Sequence, residues 1–113
     1  MRKDDLIRLR HMLDAAREAL SFIKGKSRSA LEQDRMLAIS LLKEIEIIGE
    51  AANNVSEEAR NKHHEIPWLD IIGMRNHVIH VYFDVDLDIL WDTVNKDLPP
   101  LADMLEGIIS AEE

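Results

Sequence analysis

Leu6, Leu9, Leu13, Ala16, Leu20 and Ile23 recur at alternating intervals of three and four residues. A helix turns roughly 100° per residue, so this spacing draws one apolar seam along one side of it. Such a seam is stable only against other helices. The spacing predicts a first helix over residues 4–23, with Asp4 and Asp5 suiting its positive N-terminal end. Lys24-Gly25-Lys26-Ser27-Arg28-Ser29 then reads as a turn, with Gly25 ending the first helix and Ser27 or Ser29 capping the next. This is the densest basic spot in the chain, and it suits either a solvated loop or a phosphate contact.

A second stripe predicts a helix over residues 30–53, formed by Leu31, Ala38, Leu41, Ile45, Ile48 and Ala52 and running on to Val55. Leu37, Ile39, Leu42 and Ile47 widen it beyond half the circumference. A helix so broadly apolar must touch more than one partner, in the middle of a bundle or at a subunit interface. Gly49-Glu50-Ala51-Ala52 offers small residues where another helix can approach. Glu50 within it reads either as a buried carboxylate needing a partner or as an exposed rim charge.

Ser56 caps a short helix whose first turn is acidic. His63 and His64 follow without a regularly spaced partner, so no metal site is assigned to them. Pro67 opens a third helix as its first residue, with Trp68, Ile71, Ile72, Met74, Val78 and Ile79 on its buried face. Asp86 caps a fourth, built on Leu87, Leu90, Trp91, Val94 and Leu98. Pro99-Pro100 is expected to interrupt it before Leu101, Met104, Leu105, Ile108 and Ile109 resume the face. These elements predict an all-α, antiparallel four-helix bundle with an extra short helix, as one domain over residues 1–113.

Composition narrows the functions available. Aromatic residues are 4% and the chain has no cysteine, which excludes disulfides and thiolate metal sites. No apolar run reaches the length of a membrane span, and the N-terminus lacks a signal-peptide core, so the expected compartment is cytoplasmic. The net charge of −8 argues against a broad nucleic-acid-binding surface. A nucleic-acid role must therefore rest on a local basic site.

One stretch supplies such a site. Gly73-Met74-Arg75-Asn76-His77-Val78-Ile79-His80-Val81-Tyr82-Phe83 holds an arginine, two histidines and the single tyrosine of the chain. On a continuous helix Asn76 and His80 would share a face, and His77 and His80 would be neighbours. Arg75 and His80 would lie roughly 140° apart. Two copies meeting across a twofold axis would resolve that mismatch, each site drawing Arg75 and His80 from both subunits. A guanidinium grips phosphate oxygens in a fork, and an imidazole moves protons near neutral pH. RNA brings its own nucleophile, the 2′-hydroxyl, so these groups suffice for cleavage without a metal, whereas DNA lacks that hydroxyl. The plainer alternative makes His77 and His80 core or rim histidines bonded to backbone and Arg75 an ordinary surface charge.

The spacing Arg75, four residues, His80, one residue, Tyr82 resembles the R-x4-H-x-Y signature of the HepT-type toxins of the HEPN superfamily. Glu65-Ile66-Pro67-Trp68, Ile71-Ile72-Gly73-Met74-Arg75-Asn76, Ile48-Gly49-Glu50-Ala51-Ala52, Trp91 and Leu98-Pro99 extend the resemblance over nearly the whole chain. His77 stands where an apolar residue is more usual, and His64 where a proline is. The resemblance implies a HEPN fold that forms a symmetric homodimer with a ribonuclease site at its interface. It implies Arg75 and His80 as catalytic, Asn76 as a supporting polar group, and no cofactor. His77 either assists His80 or is merely tolerated. It further implies the toxin of a type VII-like toxin–antitoxin pair, an RNA endonuclease with an RNA substrate. Its partner would be a nucleotidyltransferase (MNT) antitoxin that silences it by AMPylation of Tyr82. A phosphodiester there would add negative charge where RNA phosphate must bind. The rival expectation is a non-catalytic HEPN subunit that binds a minimal nucleotidyltransferase or a nucleotide.

Overall fold

The seam of the first helix is spent inside the molecule: Leu9, Leu13, Ala16 and Ile23 are buried, and Leu6 and Leu20 pack part-buried against them. The computed structural model describes residues 1–80 and 84–113. These form α1 (Lys3–Ile23), α2 (Ala30–Gln33), α3 (Arg35–Asn53), α4 (Glu57–Lys62), α5 (Trp68–Ile72), α6 (Met74–Val78), α7 (Leu87–Asp92) and α8 (Leu98–Glu112). A π-helical turn over Thr93–Asp97 joins α7 to α8. Among the described residues there is no strand, only an isolated antiparallel bridge between Ile79 and Val85.

Side-chain pairs give the register. Arg10 meets Glu113 at 2.9 Å and Arg17 meets Glu106 at 3.0 Å, so α1 and α8 run antiparallel. Asp5 bonds Ser56, just beyond α3, while Glu18 meets Glu44 within it, so α1 and α3 are antiparallel too. Gly49 lies under Ile71 and Ile72, and Glu46 under Arg75, which sets α5–α6 antiparallel to α3. The bundle positions are thus α1, α3, the α5–α6 pair and the α7–α8 helix, with α2 and α4 as short additions. Met12, Leu41, Ile45, Ile48, Leu90, Leu98 and Leu105 fill the centre with at most 0% exposure each.

Several boundaries differ from the sequence expectation. The second helix is broken at Asp34, whose backbone is extended (φ −130°, ψ 94°) and whose side chain accepts a hydrogen bond from Leu37 N at 3.2 Å. Leu31 and Ala38 keep their apolar spacing across the break, so periodicity alone could not reveal it. Ser29, a candidate cap, makes no capping bond. Pro67 is the residue before α5 rather than its first. Pro99 and Pro100 do not interrupt the last helix. They sit in the first turn of α8, and just ahead of them Leu98 N–H reaches back five residues to Thr93 O in the π-turn.

The breadth of α3 is largely consumed within the chain, because α1, α2, α5, α6 and α7 all pack on it. Met36 and Ile39 are the exceptions, at 78% and 52% exposure. The helix expected to approach Gly49 is α5: a Cβ there would lie 3.4 Å from the carbonyl oxygens of both Ile71 and Ile72. Glu50 is an exposed rim charge. The buried carboxyl of α3 is instead Glu44, which the apolar pattern did not single out.

Candidate functional site

Gly73 breaks the third bundle position into two short helices. Its backbone (φ −86°, ψ 0°) ends α5 and starts α6. Close packing of α5 over Gly49 then holds α6 against α3. Met74 and Val78 face the core from α6. Arg75 and His77 lie two residues apart, roughly 200° round the helix, and so point to different sides.

Arg75 reaches toward α3, where its Nε lies 3.7 Å from Oε2 of Glu46. Both side chains are about a third exposed, at 36% and 31%. His77 is exposed and borders a cavity of about 540 Å³ between α5–α6 and the start of α8, with Leu69, Met74, Leu101 and Met104 on its walls. Asn76 is exposed between them.

The helix ends at Val78, because Ile79 is extended (φ −98°, ψ 127°). His80 is therefore past the helix, and the rules for residues three, four or five apart on a helix do not place it. A two-bond clamp places it instead. His80 N donates to Asp84 O at 2.8 Å, and Asp86 N donates to Val78 O at 2.9 Å. This pairing brings the His80 ring beside the first turn of α7: Nε2 lies 3.3 Å from Oδ2 of Asp86. The other carboxylate oxygen of Asp86 caps α7 by accepting from Ile89 N at 3.0 Å. The Ile89 N–H, then the His80 ring, hold the Asp86 carboxyl below its usual range. Tyr82, the expected modification site, lies outside the described residues.

Sequence reasoning named Arg75, Asn76, His77 and His80 but missed the acids that meet two of them. On sequence alone Asp86 is a helix cap and nothing more. Glu46 carries no local signal, since its meeting with Arg75 depends on how α6 crosses α3. Among the described residues, no group of three or more histidine or acidic side chains is placed to hold a metal ion. The basic turn is partly committed elsewhere: Arg28 pairs with Asp88 at 2.8 Å and Glu32 at 3.3 Å, tying the turn to α7.

The chain has recognisable relatives. A family model described as "Ribonuclease HepT-like" matches residues 12–108. The chain is 36% identical over 105 residues to "Putative RNase TTE0752" of Caldanaerobacter subterraneus subsp. tengcongensis, covering 93% of this chain and 94% of that protein. It is 35% identical over 100 residues to "Probable ribonuclease HepT" of Thermococcus cleftensis, covering 85% and 91%. It is 38% identical over 109 residues to "Gamma-glutamylcyclotransferase and putative RNase MJ0434" of Methanocaldococcus jannaschii, covering 96% of this chain and 49% of that longer protein. No solved structure matches it. With its all-helical bundle and its R-x4-H-x-Y stretch, the chain belongs to the HepT-like ribonuclease family of the HEPN superfamily.

Proposed function

We propose that this protein is a metal-independent RNA endonuclease, the toxin of a toxin–antitoxin pair, and that Arg75 and His80 carry the reaction. Arg75 binds the scissile phosphate and stabilises the phosphorane charge. His80 transfers the proton, with its imidazole about half exposed to substrate, at 52%. Asn76, exposed beside Arg75, orients the phosphate by hydrogen bonding. His77 has no part in the step, since it faces the cavity on another side of α6. A homodimer gives each site a second Arg75 and a second His80, so that one imidazole acts as base and the other as acid. The observation that carries the reading is that the chain presents Arg75 from α6 and clamps His80 at the start of α7, within a family named for ribonucleases.

Tyr82, two residues beyond His80, is the regulatory position. Transfer of AMP from ATP by a nucleotidyltransferase antitoxin would place a phosphodiester beside the phosphate site and close it electrostatically. The net charge of −8 favours one rival, a non-catalytic subunit that only binds such an enzyme.

The deciding experiment incubates purified, unmodified protein with RNA in EDTA, beside Arg75→Ala and His80→Ala. The expected result is cleavage by wild type and a loss of at least about 10²-fold in each variant. No wild-type cleavage across varied RNAs would favour the binding subunit. Tyr82 is the only tyrosine, so intact mass after incubation with the nucleotidyltransferase and ATP reads the modification directly. A Tyr82→Phe variant that still gained AMP would refute the tyrosine assignment.

A further inference from the structure

Asp86 is held in place from two directions. Its backbone N–H is fixed to Val78 O at 2.9 Å, and its Oδ1 accepts from Ile89 N at 3.0 Å as the cap of α7. The backbone that carries the ring it meets is fixed as well, because His80 N donates to Asp84 O at 2.8 Å. The 3.3 Å approach of Asp86 Oδ2 to His80 Nε2 is thus set by the clamp and the cap together, not by two long side chains meeting by chance at a surface. An ionised carboxylate can only accept a hydrogen bond, so the ring nitrogen facing it must donate.

We propose that Asp86 is a positioning residue for His80: its Oδ2 accepts the Nε2–H, fixes the tautomer, and leaves Nδ1 as the atom that exchanges the proton with RNA. This rests on the ribonuclease reading. In the cleavage step the O2′–P bond forms and the P–O5′ bond breaks. The 2′-hydroxyl proton passes to Nδ1, and the leaving 5′-oxygen takes a proton from the imidazolium of His80 of the partner subunit. The carboxylate of Asp86 stabilises the imidazolium that forms on its own side. The same residue therefore does two jobs: Oδ1 starts α7 and Oδ2 orients the ring.

Those jobs can be separated. In Asp86→Asn the amide oxygen still caps α7, but the amide NH₂ would face Nε2 and donate to it, which favours the opposite tautomer. In Asp86→Ser the hydroxyl still caps, but is too short to reach the ring. Ring ¹⁵N shifts, assigned to His80 by comparison with His80→Gln, should show Nε2–H in neutral wild type and Nδ1–H in Asp86→Asn. Both Asp86 variants should lose kcat by about 10²-fold, while KM stays within about threefold and the melting temperature within a few degrees of wild type. A wild-type Nδ1–H tautomer, or an Asp86→Asn enzyme with unchanged kcat, would overturn the proposal. If wild type cleaves no RNA, the ribonuclease reading falls and takes the role of Nδ1 with it. The ring shifts still decide whether Asp86 sets the tautomer.

Discussion

Oε2 of Glu46 on α3 lies 3.7 Å from Nε of Arg75 on α6, so the arginine at the heart of the motif is flanked by an acid from another bundle position. At roughly a third exposure for each side chain, the pair adds under about 1 kcal/mol to stability. Under the proposed mechanism its effect belongs to the site: Glu46 would aim the guanidinium but also repel an incoming phosphate. Glu46→Gln should therefore lower KM for RNA by severalfold while kcat falls by about tenfold, with the melting temperature nearly unchanged. Steady-state cleavage kinetics check this, and a variant with kcat intact would show that Arg75 needs no such guide.

Glu44 predicts that the fold weakens as pH rises from mildly acidic toward neutral. It is 4% exposed, and burial, then the hydrogen bond and charge of Glu18, push its carboxyl up from the usual 4.5 to about 7. A carboxyl raised on folding holds its proton more tightly in the native state. Stability is then highest below the unfolded value and falls as pH rises through about 7. The loss should be on the order of 3 kcal/mol. Glu44→Gln has no proton to lose and can still donate to Glu18, so its stability should stay flat across that window. Urea unfolding at a series of pH values measures both curves.

Asp5 acts in the opposite direction. Burial works against its charge, but the hydroxyl and backbone N–H of Ser56, at 2.6 and 2.8 Å, with the nearby Arg2 and N-terminal charges, outweigh it and hold the carboxyl below its usual 3.8. A depressed carboxyl contributes stability that is present above its unfolded value and is lost as pH falls through its folded one. The Ser56 hydroxyl also accepts from Ala59 N at 3.2 Å, so Asp5 secures the α4 cap and joins it to α1. Asp5→Ala should cost about 1–2 kcal/mol, because Ser56 N–H is left part-buried without its acceptor. Ser56→Ala should cost a similar amount. Wild type should accordingly be most stable in mildly acidic solution, between the ranges in which these two acids titrate.

These two acids mark what the sequence could and could not convey. The seam from Leu6 to Ile23 and the stripe from Leu31 to Val55 were legible because burial follows the period of a helix. Ser56 and Asp86 were legible as caps because a cap is a local signal. Glu44 was not, since it lies among the apolar residues of a stripe that periodicity treats as core, and its partner Glu18 comes from another helix. The breaks at Asp34 and Gly73 left the apolar spacing intact on either side, so the pattern hid them. The end of α6 at Val78 mattered most for the site. With no proline or turn signal between Val78 and His80, the sequence favoured a continuous helix, whereas pairing with Val85 pulls the chain into an extended form. The angular mismatch between Arg75 and His80 was an argument for a dimer that this geometry removes.

A homodimer can instead be sought on the surface. Ile39 on α3 is 52% exposed and borders a groove of about 480 Å³ with Asp84, Val85 and Leu87, the segment that clamps His80. A second copy seated there would adjoin the His80 segment of the first, as a shared site requires. Ile39→Glu places a charge on that face without touching the core, so the monomer should remain folded. Light scattering should then report the mass of one chain, and RNA cleavage should fall steeply with it. Leu69 provides the control, being 81% exposed on α5 beside the His77 cavity. Leu69→Glu should leave both mass and cleavage unchanged. A variant at Ile39 that stayed dimeric would place the interface elsewhere, and loss of the dimer through Leu69 would move it to the His77 side of the bundle.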